Sequence, residues 1–318
     1  MSYYGQRKVK GEFKITERIS LGALAAKIPA KEVDRALEAY GGMEERNRLL
    51  PSRVVVYYII IMTIYSHVGY REVLRVMVEG LQGLFKGIDD WHVPSKVAVS
   101  KARRRVGAEA VEGLFRSIAR PIAVKETRGA WYRDWRLTSI DGTTFDIADT
   151  PENEARFGRP GNGRSDNKSA YPQVRLVALC EQGTHAVFDA QMGPLDTGEQ
   201  AMTRPLLRSL TPQMLNLADR NFFGYKLWNQ AAATGAQLLW RVKKNMLLHP
   251  VEIFEDGSYT AWIYPGTKAR RHKKDGILVR VIEYTINDPG RTDTEPGYRL
   301  ITTIMNHPVV SSSMHVAI

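Results

Sequence analysis

Near residue 130 the apolar residues of this chain change their spacing from helical to strand-like. Before that point, "PAKEVDRALEAYG" sets Val33, Ala36, Leu37 and Tyr40 three or four apart, with proline at the start and glycine at the stop, the pattern of an amphipathic helix. "GYREVLRVMVEGL" repeats it with Val73, Leu74, Met77, Val78 and Leu81. The run "VVVYYIIIMTIY", Val54 to Tyr65, lies between Arg53 and His67; it is shorter than the roughly 18–20 residues needed to cross a bilayer. It therefore predicts a buried helix and no membrane association. After Trp131 come "WRLTSIDG", "YPQVRLVALCE" and "THAVFDAQMGP", short β-branched and apolar runs bounded by turn residues, which predict three strands. "DTGEQAMTRPLLRSL" then predicts a helix from Glu199 to Leu210 that Pro205 kinks or begins. "MLNLADRNFFG", "YKLWNQAAATG" and "AQLLWRV" continue as strand, helix ending on Gly235, and strand.

The order β-β-β-α-β-α-β predicts an α/β class with a mixed sheet, preceded by an all-α N-terminal domain at 1–130. The polar stretch "PENEARFGRPGNGRSDNKSA" reads as a loop. A strand-rich segment with Asp-Gly turns, at about 246–290, reads as a β insertion in the domain at 131–318.

Charge separates along the same boundary. Residues 1–136 hold 25 basic and 15 acidic side chains of the 45 and 34 in the whole chain, so nearly all of the net +11 is N-terminal. A localised basic excess is the electrostatic footprint of a polyanion binder, because neutralising phosphates releases counterions. Within it, "VPSKVAVSKARRRVGAEAVEGLFRSIARP" predicts a helix capped by Ser95, broken at Gly107 and followed by a second helix. Lys101, Arg103, Arg104 and Arg105 on the first helix suggest a helix-turn-helix facing double-stranded DNA. The single Cys180, set in "VRLVALC", excludes an internal disulfide and fits a reducing, cytoplasmic setting as a small buried hydrophobe.

Two aspartates share one context. "LTSIDG" places Asp141, and "LNLADRNFFG" places Asp219, after a short apolar strand and before a predicted turn. Strand ends of α/β sheets expose reactive side chains on rigid support. Each aspartate could instead cap the turn that follows it. As a pair on neighbouring strands they suit Mg2+, which takes one or two carboxylates and completes its shell with water and substrate phosphate.

"LTSIDGTTFDIADTPENEARFGRP", "LNLADRNFFGY" and "LLWRVKKN" resemble the DDE transposases of bacterial insertion sequences, in the insertion-sequence-four family, and "RLLPSRVVVYYIIIMTIYSHVGYREVLRVMVEGL" resembles the helical N-terminal domain of that family. The resemblance spans roughly residues 15–305. It implies an RNase H-like core with a β insertion, and Mg2+-dependent (or Mn2+-dependent) cleavage and strand transfer at the ends of a mobile element. It also implies a two-metal site, a bacterial, nucleoid-associated location and a homo-oligomer in the DNA complex. Asp141 and Asp219 match the first two catalytic carboxylates. Arg220, Arg241 and Lys243 would suit phosphate contacts, and Asp146 and Asp149 read as loop or turn residues.

The family's third carboxylate is a glutamate three residues after an arginine that itself follows a tyrosine by three. After Asp219 the glutamates are Glu252, Glu255, Glu283 and Glu295, none with that spacing, and the tail "SSSMHVAI" lacks helical periodicity. The expectation is a chain truncated before the motif, with an incomplete metal site and impaired catalysis. Two alternatives stand beside it: a DNA-binding regulator that inhibits transposition, and a metal-dependent nuclease or phosphoesterase that needs no third carboxylate.

Overall fold

A computed structural model describes residues 24, 26–45, 50–80, 94–160, 171–285 and 297–305. Leu81, Glu295 and the tail after 305 lie outside the described residues. The chain divides into two compact units after Ala119, eleven residues before the boundary expected from the change of period.

The first unit holds helices α1 (Ala30–Ala39), α2 (Ser52–Ile64), α3 (Tyr70–Gly80) and α4 (Lys96–Ile118). In α1, Val33, Ala36 and Leu37 turn inward, while Tyr40, counted in the sequence as part of the apolar stripe, sits past the last turn and is exposed. Nearly the whole of α2 from Val54 to Tyr58, with Ile61, is buried, so its all-round apolar sequence reflects burial within the unit. Among the described residues no helix is long and apolar enough to cross a membrane. Ser95 caps α4 by accepting from the amide of Ala98, as its sequence position predicts. Gly107 interrupts α4 at φ 76° and ψ 165°. Two helical stretches therefore meet at a kink on Gly107, as the sequence predicts, with a single positive-φ glycine between them where a helix-turn-helix usually has three or four residues.

The second unit is built on one sheet whose strands run β4-β3-β2-β5-β6-β10-β9-β8-β7, with β1 paired to β2. The strands are β1 (Trp131–Tyr132), β2 (Trp135–Asp146), β3 (Gln173–Glu181), β4 (Val187–Pro194), β5 (Met214–Ala218), β6 (Gln237–Arg241), β7 (Pro250–Ile253), β8 (Tyr259–Ile263), β9 (Ile277–Tyr284) and β10 (Tyr298–Thr302). Only β2–β5 and β5–β6 are parallel; the remaining pairs are antiparallel. The predicted order of strands and helices up to β6 is present. The β insertion does not form a layer of its own: β7 to β9 extend the same sheet through β10.

Three local expectations are corrected. The stretch after Thr150 is not all loop, because α5 (Pro151–Phe157) forms there. Thr150 accepts from the amide of Asn153, proline occupies the first turn with Glu152 and Glu154, and Gly158 ends the helix at φ 82°, a full set of start and stop signals. The predicted helix 199–210 is α6 (Glu199–Thr203) followed by a 3-10 segment, Arg204–Ser209, with Pro205 at the change. The insertion also contains a short helix, α8 (Thr267–Arg271), after α7 (Tyr225–Ala232).

The core lies on the face of the sheet that carries Ile140, Val177, Leu179, Leu238 and Trp240. Met202, Leu206, Leu227 and Trp228 from α6, the 3-10 segment and α7 pack against it. Trp228 meets Trp240 edge to face at 5.4 Å, a favoured aromatic geometry.

Candidate active site

In the β2–β5 ladder Ser139 pairs with Leu217 and Ile140 with Ala218, and the ladder stops there. Asp141 and Asp219 are the next residue on each chain. Neighbouring strands run about 4.8 Å apart, so the backbones of the two aspartates lie side by side where the parallel ladder opens. Alternation along β2 sends Asp141 to the face opposite buried Thr138 and Ile140.

Asp141 is not at the end of its strand, as the sequence suggests. The antiparallel ladder with β3 continues from Asp141–Ala178 to Asp146–Gln173, so the Gly-Thr-Thr stretch is strand. Asp146 closes β2 and accepts from the Gln173 side chain at 2.8 Å, and Asp149 is ion-paired with Arg159.

Both aspartates are exposed. Asp141 Oδ1 accepts from the amide of Gly142 at 2.8 Å. Asp219 starts a turn in which the Phe222 amide donates to the Asp219 carbonyl at 3.0 Å, and buried Phe222 anchors that turn in the core. Its Oδ1 faces Arg241 Nη1 at 3.4 Å. Arg241 follows Trp240, the partner of Ala218 on β6, so Asp141, Asp219 and Arg241 form a row across three parallel strands. The Arg241 guanidinium lies 4.7 Å over the ring of Tyr298, which stacks on Tyr284 at 5.2 Å. Arg220 and Lys243 are exposed beside the row in sequence. Tyr298 escapes a sequence reading because a lone strand tyrosine carries no spacing signal.

Cys180, on β3 opposite Ser139 of β2, is partly exposed and not the buried hydrophobe its apolar setting suggests. Burial pushes its thiol above the ordinary range, and the negative charge of Asp141 adds to the effect, so it is a protonated neighbour of the site at neutral pH.

Two adjacent carboxylates are hard oxygen donors of the kind that hold Mg2+ or Mn2+ with water and phosphate oxygens in the remaining positions. Among the described residues no cluster of three or more His, Cys, Asp or Glu is placed to hold a metal ion. Glu283 lies on β9 next to Tyr284 and therefore on the reverse face, where Tyr259 Oη and Arg299 Nε donate to it at 2.8 and 2.7 Å. Glu252 and Glu255 are exposed at the β7 edge of the sheet.

In the first unit, Lys101, Arg103 and Arg104 are exposed on α4. Arg105 is turned inward: its Nη2 donates to the Leu50 carbonyl at 2.6 Å and its Nε to Ser52 Oγ at 3.4 Å.

Comparison with known proteins places these features in a family. Residues 18–116 match the family profile of the insertion element 4 transposase N-terminal region, and residues 134–305 match that of the transposase DDE domain. The chain is 28% identical to the transposase InsG for insertion sequence element IS4 of Escherichia coli K12, over 71% of this chain and 49% of InsG. It is 26% identical to InsZ of the same strain, over 78% of each chain. The chain thus spans about half the length of InsG. Among solved structures, an endonuclease V from Bacillus subtilis aligns at 15% identity over 52% of this chain and 64% of that one, with a TM-score of 0.23, too low to bear on the fold. The DDE domain match implies an RNase H-like fold for the sheet that carries both aspartates, and with the N-terminal match ahead of it, this chain belongs to the IS4 family of DDE transposases.

Proposed function

We propose that this chain is an insertion-sequence transposase whose Asp141 and Asp219 jointly hold Mg2+ or Mn2+ for strand cleavage and transfer at element ends. The observation that carries the proposal is the register: both aspartates stand one residue past the paired Ile140 and Ala218 on parallel neighbours. Divalent ions, which the DDE domain generally uses, would activate an attacking water or 3′-hydroxyl and stabilise the leaving oxygen. Arg241, between Asp219 and Tyr298, is placed to meet a substrate phosphate beside the carboxylates, with Arg220 and Lys243 as flanking contacts. Lys101, Arg103 and Arg104 supply contacts to the backbone of double-stranded DNA, and the working complex on DNA is a homo-oligomer.

The described residues give the ion two carboxylates, since Glu283 faces the other way. Two ligands hold one ion weakly and do not fix a pair of ions, and a misplacement of about 1 Å costs roughly 10²-fold in rate. With these two ligands alone, the site would bind DNA and cleave it slowly. The same feature supports a second reading, a DNA-binding regulator that occupies element ends and restrains transposition.

Band-shift and nicking assays on element-end DNA, with and without Mg2+, test the proposal. Metal-independent binding with slow nicking that disappears in Asp141→Asn and Asp219→Asn is expected. Binding with no nicking at all favours the regulator, and nicking that survives both substitutions overturns the site assignment.

A further inference from the structure

The β2–β5 ladder ends at Ile140 and Ala218, so strand pairing alone does not fix the turn that carries Asp219. A second device touches both carboxylate segments. Gln200, on the first turn of α6, donates its side-chain amide to the carbonyls of Asn221 at 3.3 Å and Phe223 at 3.0 Å, two and four residues past Asp219. The preceding side chain, Glu199, lies over Gly142, whose amide binds Asp141.

Glycine makes both approaches possible. A Cβ built on Gly142 would stand 2.7 Å from Glu199 Oε1, and one on Gly224 would stand 2.5 Å from Gln200 Oε1, both inside van der Waals contact. Gly224 has φ −151° and ψ 139°, a conformation open to any residue, so its lack of a side chain serves the Gln200 contact and not the backbone. The pair is itself firmly held. The Ala201 and Met202 amides bond to the Gly198 carbonyl, Thr203 Oγ1 donates to the Glu199 carbonyl at 2.8 Å, and Met202, Thr203 and Leu206 are buried.

We infer that Gln200 is a positioning residue that sets the Asp219 turn against Asp141, with Glu199 fixing the other end of the brace over Gly142. The inference rests on the assignment of Asp141 and Asp219 as the metal-binding pair. Gln200 touches neither carboxylate; it acts through the backbone of the turn, as outer contacts around metal ligands do, where a lost partner typically costs about 10–100-fold in affinity.

The test is Mn2+ affinity of the full chain, measured by the electron paramagnetic resonance of free Mn2+, alongside thermal unfolding. Gln200→Leu weakens Mn2+ binding about ten-fold and leaves the unfolding midpoint within a few degrees of the parent. Gly224→Ala, which displaces the Gln200 amide, has a similar effect in the parent and none further in Gln200→Leu. Unchanged affinity in Gln200→Leu overturns the inference, as does an equal loss from Gly224→Ala with and without Gln200. Asp141→Asn run in parallel separates the two levels. If it weakens binding and Gln200→Leu does not, only the brace fails; if it has no effect, the carboxylate assignment fails and the brace with it.

Discussion

Asn216 donates its side-chain amide to Thr138 Oγ1 at 3.1 Å across the β2–β5 ladder, and each of these residues lies three positions before one of the two aspartates. The Asn216 oxygen accepts from Trp240 Nε1 on β6 at 3.1 Å, and all three side chains are fully buried. A satisfied polar link of this kind specifies one register, and a slip of one residue would send one of the aspartates to the wrong face. Asn216→Ala leaves the Trp240 N–H and the Thr138 hydroxyl without this partner in the core, at an expected cost of about 2–3 kcal/mol. Urea unfolding midpoints measure it.

Glu181 ties the segment that enters the second unit to the sheet. Fully buried, it accepts from the amides of Ile122 and Ala123 at 2.9 and 2.8 Å, from Thr184 Oγ1 at 2.6 Å and from Arg136. Removing one partner of a buried pair leaves the other charge uncompensated. Glu181→Gln is expected to lose about 3–5 kcal/mol in chemical unfolding, with Arg136, stacked 4.5 Å over Trp131, as the stranded charge.

The arginines of α4 separate by role. Arg103→Ala and Arg104→Ala should each reduce the slope of log affinity for DNA against log salt by about one unit, the signature of one lost phosphate contact. Arg105→Ala should leave that slope unchanged and instead destabilise the unit by about 1–2 kcal/mol, because the Leu50 carbonyl loses its charged donor.

Cys180 reports the charge of Asp141. Its thiol is raised above 9.0 by burial first and by Asp141 second. A raised acid favours the folded state while it is protonated, so this contribution is present below pH 9, the unfolded value, and is lost as pH rises through the folded value. Iodoacetamide should therefore label Cys180 slowly at pH 9, and faster in Asp141→Asn, as followed by mass spectrometry. An unchanged rate would mean that the Asp141 charge does not reach the thiol.

Much of this arrangement is legible in the sequence because its signals are local. The strand runs around Asp141 and Asp219 and the Ser95 cap appear as predicted, while the helix expected to end on Gly235 stops at Ala232, three residues earlier. Features that depend on pairing are not legible. Asp141 reads as a strand end because Gly-Thr-Thr has turn composition, yet β3 supplies partners as far as Asp146. Arg105 reads like its neighbours Arg103 and Arg104, but one step of about 100° around the helix turns it toward Leu50. Gln200 carries no signal by itself; its clue is Gly224, which a sequence presents only as the start of a helix. The helix α5 was readable, since Thr150, Pro151 and Gly158 are ordinary boundary residues, but the polar composition around them masks it.

Mn2+ titration of the parent chain, Asp141→Asn, Asp219→Asn and the double substitution tests most directly whether the two aspartates hold one ion together. Each single substitution should lower affinity about ten-fold or more, and the double should lose little beyond the larger single loss, because the pair acts as a unit. Losses that simply add, or an affinity that survives either single substitution, would contradict a shared site.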